Sequence, residues 1–185
     1  MKTLFRNLTP VLALIASTSN AWALATTLPP CLDHGQELSV NDAQVAQWKV
    51  STANQFLARA HVKGTIHQLF PDHSGHNHFE IQMDTPTGDT LEVVYSQAFG
   101  ALPTLHPGMI VEACGDYITS KAATGRYPAS PDGAIIHWIH NNQGGGSSSG
   151  FLPMKHHRGG GGNGNQGGGH EAGYLVIDGQ VYGGY

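Results

Sequence analysis

RAHVKGTIHQLF, residues 59 to 70, alternates with a period of two. Val62, Gly64, Ile66 and Gln68 fall on one face, and His61, Lys63, Thr65 and His67 on the other. That is the pattern of a half-buried strand. A glycine in its middle predicts a bend or bulge of the kind found at a barrel corner. The same period recurs four times downstream. Residues 78–84 place Phe79, Ile81 and Met83 inward, and residues 90–96 place Leu91, Val93 and Tyr95 on one face. The turn TPTGD, residues 85–89, joins them. A loop at 98–107 precedes a strand at 109–119. A polar loop at 121–133 precedes the last strand, 134–140.

Before the first strand, NDAQVAQWKVSTANQF, residues 41–56, reads as a helix. Asn41 is its expected cap, Asp42 suits the first turn, and Ala46, Val50, Ala53, Phe56 and Leu57 form its apolar stripe. Trp48 lies off that stripe. LHPGMIVEACGDYI, residues 105–118, is similar to the fourth-strand pattern of OB-fold barrels. The expected class is mainly β: a small five-stranded OB-like barrel, with one N-terminal helix and a C-terminal hairpin after a glycine-rich linker.

Residues 1–25 read as a signal peptide. Lys2 and Arg6 precede the short apolar run PVLALIA, and cleavage is expected after Ala23 or Ala25. The chain is therefore expected to be exported by a bacterium, to the periplasm or beyond, with no membrane span. Leu28-Pro29-Pro30-Cys31 has the outline of a lipoprotein site, but its prolines suit that processing poorly. Cys31 and Cys114, in an oxidising compartment, are expected to form a disulfide; two free thiols or thiolate ligands are the alternative. Removing Lys2 and Arg6 lowers the basic count from 9 to 7 against 13 acids, a net charge of −6 with neutral histidines. That balance argues against nucleic acid, leaving only a local patch of Lys49, Arg59 and Lys63 in its favour.

The barrel domain is expected over 26–142. Residues 143–169, rich in glycine, read as a flexible linker that includes FLPMKHHR and its pair His156 and His157. Residues 170–185 end in a hairpin turning at Asp178-Gly179.

Twelve histidines outnumber the remaining Lys and Arg. His73, His76 and His78 crowd one loop, and His67 ends the strand before it. Candidate metal ligands are His67, Asp72, His76, His78 and His140, taking zinc or copper. His140 closes this site if the last strand lies beside the first. His137 and His140 are three apart, so they share one site only if the strand bulges or ends between them. His137 otherwise reads as a buried residue, and Trp138 as packing before it reads as a stacking platform. Glu80 and Glu92 stand as a cross-strand carboxylate pair or, more plainly, as a solvated face. His34, His61 and His106 have no evident company.

VKGTIHQLFPDHSGHNHFEIQM and AIIHWIH together resemble an uncharacterised family of small exported bacterial proteins, domain of unknown function 3465. The family pattern has an Asp-rich loop ending in histidine and a late His-Trp-Thr-His motif. Asp72, Gly75 and His78 match the first, and His137, Trp138 and His140 match the second. Ile139 stands for the usual threonine, and His73 for a second aspartate. The resemblance covers about residues 40–142. It implies an exported, barrel-like domain and assigns no activity.

Three functions fit. The first is a binding module whose ligand, a transition metal or small polar molecule, meets Asp72, His78, Trp138 and His140. The second is a metal-dependent hydrolase, nuclease-like or phosphoesterase-like, with Asp72, His78 and His140 as ligands and Glu80 as general base. The third is a structural or interaction protein whose tail tethers the hairpin. No nucleophile elbow, phosphate loop or His-Glu-x-x-His helix occurs in the sequence.

Overall fold

The structure is a computed structural model that describes residues 28–142 and 170–185. The signal segment and the glycine-rich linker, with His156 and His157, lie outside the described residues. The described elements run β1 (Leu32–Asp33), β2 (Gln36–Glu37), α1 (Asp42–Ser51), β3 (Leu57–Leu69), β4 (His76–Met83) and β5 (Thr90–Ser96). They continue with a 3₁₀ turn (Gln97–Phe99), β6 (Ile110–Thr119), β7 (Ala134–His137), β8 (Tyr174–Ile177) and β9 (Gln180–Tyr182).

β3, β4, β5, β7 and β6 pair in that order, and β6 pairs back onto β3, closing a five-stranded barrel. Every pairing in it is antiparallel except β5 with β7. This is the mainly β, OB-like Greek-key barrel expected from the pattern. One placement is corrected. The last barrel strand, β7, lies between β5 and β6 and not beside β3. Nine consecutive β3 residues, Leu57 to Thr65, already pair with β6.

Gly64 sits where β3 crosses β4 closely. A Cβ there would lie 2.1 Å from the Gln82 carbonyl oxygen. The register then slips between Ile66 and Gln68, and His67 falls in the bulge. Gln68, expected inward, is exposed for that reason. Inside the barrel pack Val62, Ile66, Phe79, Ile81, Leu91, Val93, Tyr95, Val111 and Ile136. Each such aliphatic or aromatic side chain contributes roughly 1.5–3 kcal/mol by leaving water.

The helix is shorter than its periodicity suggested. It ends at Ser51, Thr52 is extended, and Gln55 has a φ of +69°. Val50, expected on the buried stripe, is 80% exposed, whereas Val45 is fully buried. Trp48 packs on Phe56 and Tyr117 and covers one end of the barrel. Asn41 makes no side-chain cap; its Oδ1 accepts the His61 amide (2.9 Å), and Asp42 Oδ1 accepts the Lys63 amide (3.0 Å). Their polar atoms tie the helix to β3.

The C-terminal hairpin is present as expected. β8 pairs with residues 111–114 of β6, sharing that edge with β7, which holds residues 116–119. Asp178 and Gly179 both have positive φ, as a two-residue turn of this class requires. Cys31 and Cys114 are joined by a disulfide, with Cα atoms 5.6 Å apart. They pack with Tyr174 and Val176 in a second, smaller core. The β1–β2 hairpin had no counterpart in the sequence reading. Among the described residues, no helix is long and apolar enough to cross a membrane.

Candidate functional site

Alternation along β4 and β5 puts His76, His78 and Glu80, with Glu92, Val94 and Ser96, on the face opposite the core. Glu80 pairs in register with Glu92, and His78 with Val94. β7 runs parallel beside β5, with Glu92 opposite Ile135, which brings His137 onto the same face. Side chains at these positions are expected to be wet. Instead His78, Glu80, Glu92 and His137 are only 5–9% exposed. The reading of Glu80 and Glu92 as a solvated face is therefore corrected. The loop before β7 returns to β5: Thr90 Oγ1–H donates to Asp132 Oδ1 at 2.5 Å. Glu80 also interacts with that aspartate.

Each glutamate holds an imidazole. His78 Nδ1–H donates to Glu92 Oε1 at 2.8 Å, and His67 Nδ1–H donates to Glu80 Oε1. His78 Nε2 is buried without a hydrogen-bond partner among the described residues. A buried, unsatisfied nitrogen calls for an explanation. Metal-ligating histidines commonly donate their other ring N–H to a carboxylate in this way.

The loop before β4 is a tight turn. His73 and His76 bond each other through backbone at 3.0 and 3.3 Å, and Ser74 and Gly75 both have positive φ. This stacks the His73 ring on His78, with centroids 3.8 Å apart. A run of ring contacts continues: His78 to His76 (6.3 Å), His76 to His137 (5.2 Å) and His137 to Trp138 (4.8 Å). It ends with Trp138 to His170 (5.8 Å), His170 to His140 (4.6 Å) and His140 to Phe99 (3.6 Å). β7 stops at His137, and Trp138 adopts a φ of +52°. An aromatic residue in that region is strained by roughly 1–3 kcal/mol. The break satisfies the condition for His137 and His140 to join one cluster. His76 influences both electrostatically.

Four of these rings share one arrangement. His76 Nδ1–H donates to Ser74 O (2.8 Å), His140 to Asn141 O (2.9 Å) and His170 to Glu171 O (2.7 Å); His78 donates to Glu92. In the neutral ring such a bond leaves Nε2 as the lone-pair nitrogen. Burial lowers the pKa of His76 and His170 below the ordinary imidazole value, and takes His140 down to about 4. The His76, His140 and His170 rings are therefore neutral at pH 7, the state in which Nε2 keeps its lone pair.

Other predicted residues lie apart. Asp72 Oδ2 accepts Asn77 Nδ2 (2.7 Å) and Gln97 Nε2 (3.0 Å), so this carboxylate pins its own loop. His140 stands at the far end of the ring series from His78. Among the described residues, no group of three His, Cys, Asp or Glu side chains is poised to hold one metal ion. Of the three basic residues, Arg59 is buried against Asp116, Lys63 pairs with Glu112, and Lys49 donates to Thr90 O. His61 has company after all. Its Nδ1 meets Leu38 O, and its Nε2 meets Glu112 and Tyr174. His73, Glu92, Asp132 and His170 are the site residues that the sequence reading did not assign to a site.

Burial takes the His137 imidazole down to about 3, helped by His76, His140 and His170 and opposed by the Val94 backbone. The folded chain thus binds fewer protons here than the unfolded chain. Its contribution is intact above pH 6.5 and is lost as pH falls toward 3. By pH 5 the loss is about 2 kcal/mol. Asp42 and Asp132, raised to about 6 chiefly by burial, act in the opposite sense between pH 6 and 3.8. Urea unfolding of wild type against His137→Asn isolates the histidine. The stability difference between them should change by about 2 kcal/mol from pH 7 to pH 5. A difference independent of pH contradicts the burial of a neutral ring.

Comparison with protein-family models, curated proteins and solved structures finds no match to this chain. The fold and the face define a class: a closed OB-like barrel with a buried histidine–glutamate pair, His78 and Glu92, beside a second pair, His67 and Glu80, whose imidazole is exposed.

Proposed function

We propose that the chain is an exported binding module whose ligand is a transition-metal ion, copper or zinc. One observation carries this reading: the His76 and His78 imidazoles in mutual contact, each tied through Nδ1 to an oxygen, with His78 Nε2 buried and unsatisfied among the described residues. Imidazole nitrogen suits copper and zinc. The place agrees with the fold, because OB barrels bind ligands on the face of their second and third strands, between the flanking loops. Here those strands are β4 and β5. That agreement is an analogy of fold, and the donor chemistry stands on its own. Ring rotation would bring His73 or His76 to an ion held by His78, with Glu92 orienting the His78 ring.

The disulfide and the leader pattern support export. Membership of the uncharacterised family, domain of unknown function 3465, is supported by the meeting of its two motif segments at His76 and His137.

A second reading, a metal-dependent hydrolase, draws on a different observation. Asp132 is raised to about 6 chiefly by burial and further by Glu80 beside it, which suits this carboxyl to holding a proton near neutral pH. Glu80 would then be general base with Asp132 as its partner. Binding without turnover of phosphoester substrates favours the first reading.

Calorimetric titration of zinc and copper into the signal-free chain tests the proposal. Wild type should take up metal, and His76→Ala/His78→Ala should lose an equivalent. Glu92→Gln should weaken that ion by about 10–100-fold. No uptake by wild type, or unchanged uptake by the double variant, contradicts it.

A further inference from the structure

The residues after the glycine-rich segment are anchored to the barrel at several points. Asn142 Nδ2 donates to His170 O, and the His34 and Gly35 amides donate to the Glu171 carboxylate at 3.0 and 3.1 Å. Arg59 donates to Ala172 O, and Gly173 N–H donates to His140 O at 2.6 Å. Gly173 admits no side chain: a Cβ there would lie 2.3 Å from Cys114 O and 2.4 Å from Trp138 O. Such close approach fixes where the backbone of residue 170 arrives. It brings the His170 ring edge-on to His140, with centroids 4.6 Å apart.

His140 is fixed as well. Its ring stacks on Phe99 at 3.6 Å, and its Nδ1–H is used by Asn141 O. His170 spends its own Nδ1–H on Glu171 O. In both neutral rings, then, Nε2 carries the free lone pair. One imidazole comes from the strand end after β7, the other from 30 residues further along the chain.

We infer that His140 and His170 form a second transition-metal site, with one donor from the barrel and one from the C-terminal segment, so that copper or zinc bound there fastens that segment to the barrel. This rests on the metal reading of the histidine face but uses the opposite end of the ring series. An ion shared by both segments binds only the docked state. By mass action it stabilises docking by the factor 1 + [metal]/Kd.

The test uses the full signal-free chain with copper or zinc alone. His170→Phe keeps a ring against Trp138 and His140 and removes only the donor; His140→Phe does the same on the barrel. Each variant should lose one equivalent that His76→Ala/His78→Ala retains. Hydrogen exchange at the Gly173 amide, which bonds His140 O, supplies an independent readout. It should slow about 100-fold in wild type when metal stands at 100 times Kd, and not in His170→Phe. Unchanged stoichiometry in His170→Phe, with metal slowing its Gly173 amide as in wild type, overturns this inference alone. A loss confined to His170→Phe and His140→Phe supports it while overturning the His76/His78 site. No metal uptake by wild type overturns both.

Discussion

Replacing Cys31 and Cys114 together with alanine should destabilise the protein by about 4 kcal/mol. The bond closes a loop across 83 positions, from the residue before β1 to the middle of β6. Chain-entropy arguments give long loops the larger gain, because the unfolded ensemble loses more freedom when its ends are joined. The other anchors of the N-terminal segment are hydrogen bonds, including those of the His34 and Gly35 amides to Glu171 and of His61 to Leu38 O. Leu38 N–H bonds Cys31 O within the β1–β2 hairpin, and Arg59 reaches Leu32 O at 2.9 Å. The two sulfurs sit with Tyr174 and Val176, so their removal also leaves a small apolar void. For a domain of this size the loss amounts to a fall in melting temperature of about 15 °C. Calorimetry of the variant, and of wild type with reductant, measures it. A loss below about 1 kcal/mol would mean that the N-terminal segment is held by its other contacts.

Arg59→Ala should cost about 3–5 kcal/mol, the usual penalty for breaking a buried ion pair by removing one partner. The Arg59 side chain is 4% exposed and its partner Asp116 17%. Its guanidinium also donates to Leu32 O, Cys114 Sγ and Ala172 O. It therefore joins the N-terminal segment, β6 and the C-terminal segment in one place. Arg59→Lys should recover little of the loss, because a single ammonium cannot reproduce the planar fork that meets four acceptors. Urea unfolding of both variants is the check. Full recovery by lysine would reduce the role of Arg59 to its charge.

The barrel was legible because its strands alternate cleanly, and the inward sets at 79–83 and 91–95 are those found buried. Helix length was not legible. The stripe through Val50 and Ala53 continues in sequence beyond Ser51, but the chain must turn there to enter β3. The site was legible in part. His76, His78, Trp138 and His140 were singled out from local crowding and from the late motif. Trp138 with positive φ was not foreseen, since no local rule places an aromatic there. Glu92 looked like any outward glutamate; its burial comes from long-range packing. Asp132 and His170 reach the face from distant loops, and pair spacing along the chain carries no trace of such contacts. His61 was missed for the same reason, as its partners Glu112 and Tyr174 come from β6 and β8.

The metal reading proposed above requires that His78, held through Nδ1 by Glu92, presents Nε2 to the ion. Imidazole ¹⁵N NMR of the signal-free chain, with and without zinc, resolves the two nitrogens. Nε2 of His78 should move to the metal-bound range on zinc addition while Nδ1 stays protonated on Glu92. Zinc that leaves the His78 nitrogens unmoved, or that binds Nδ1 instead, would contradict it.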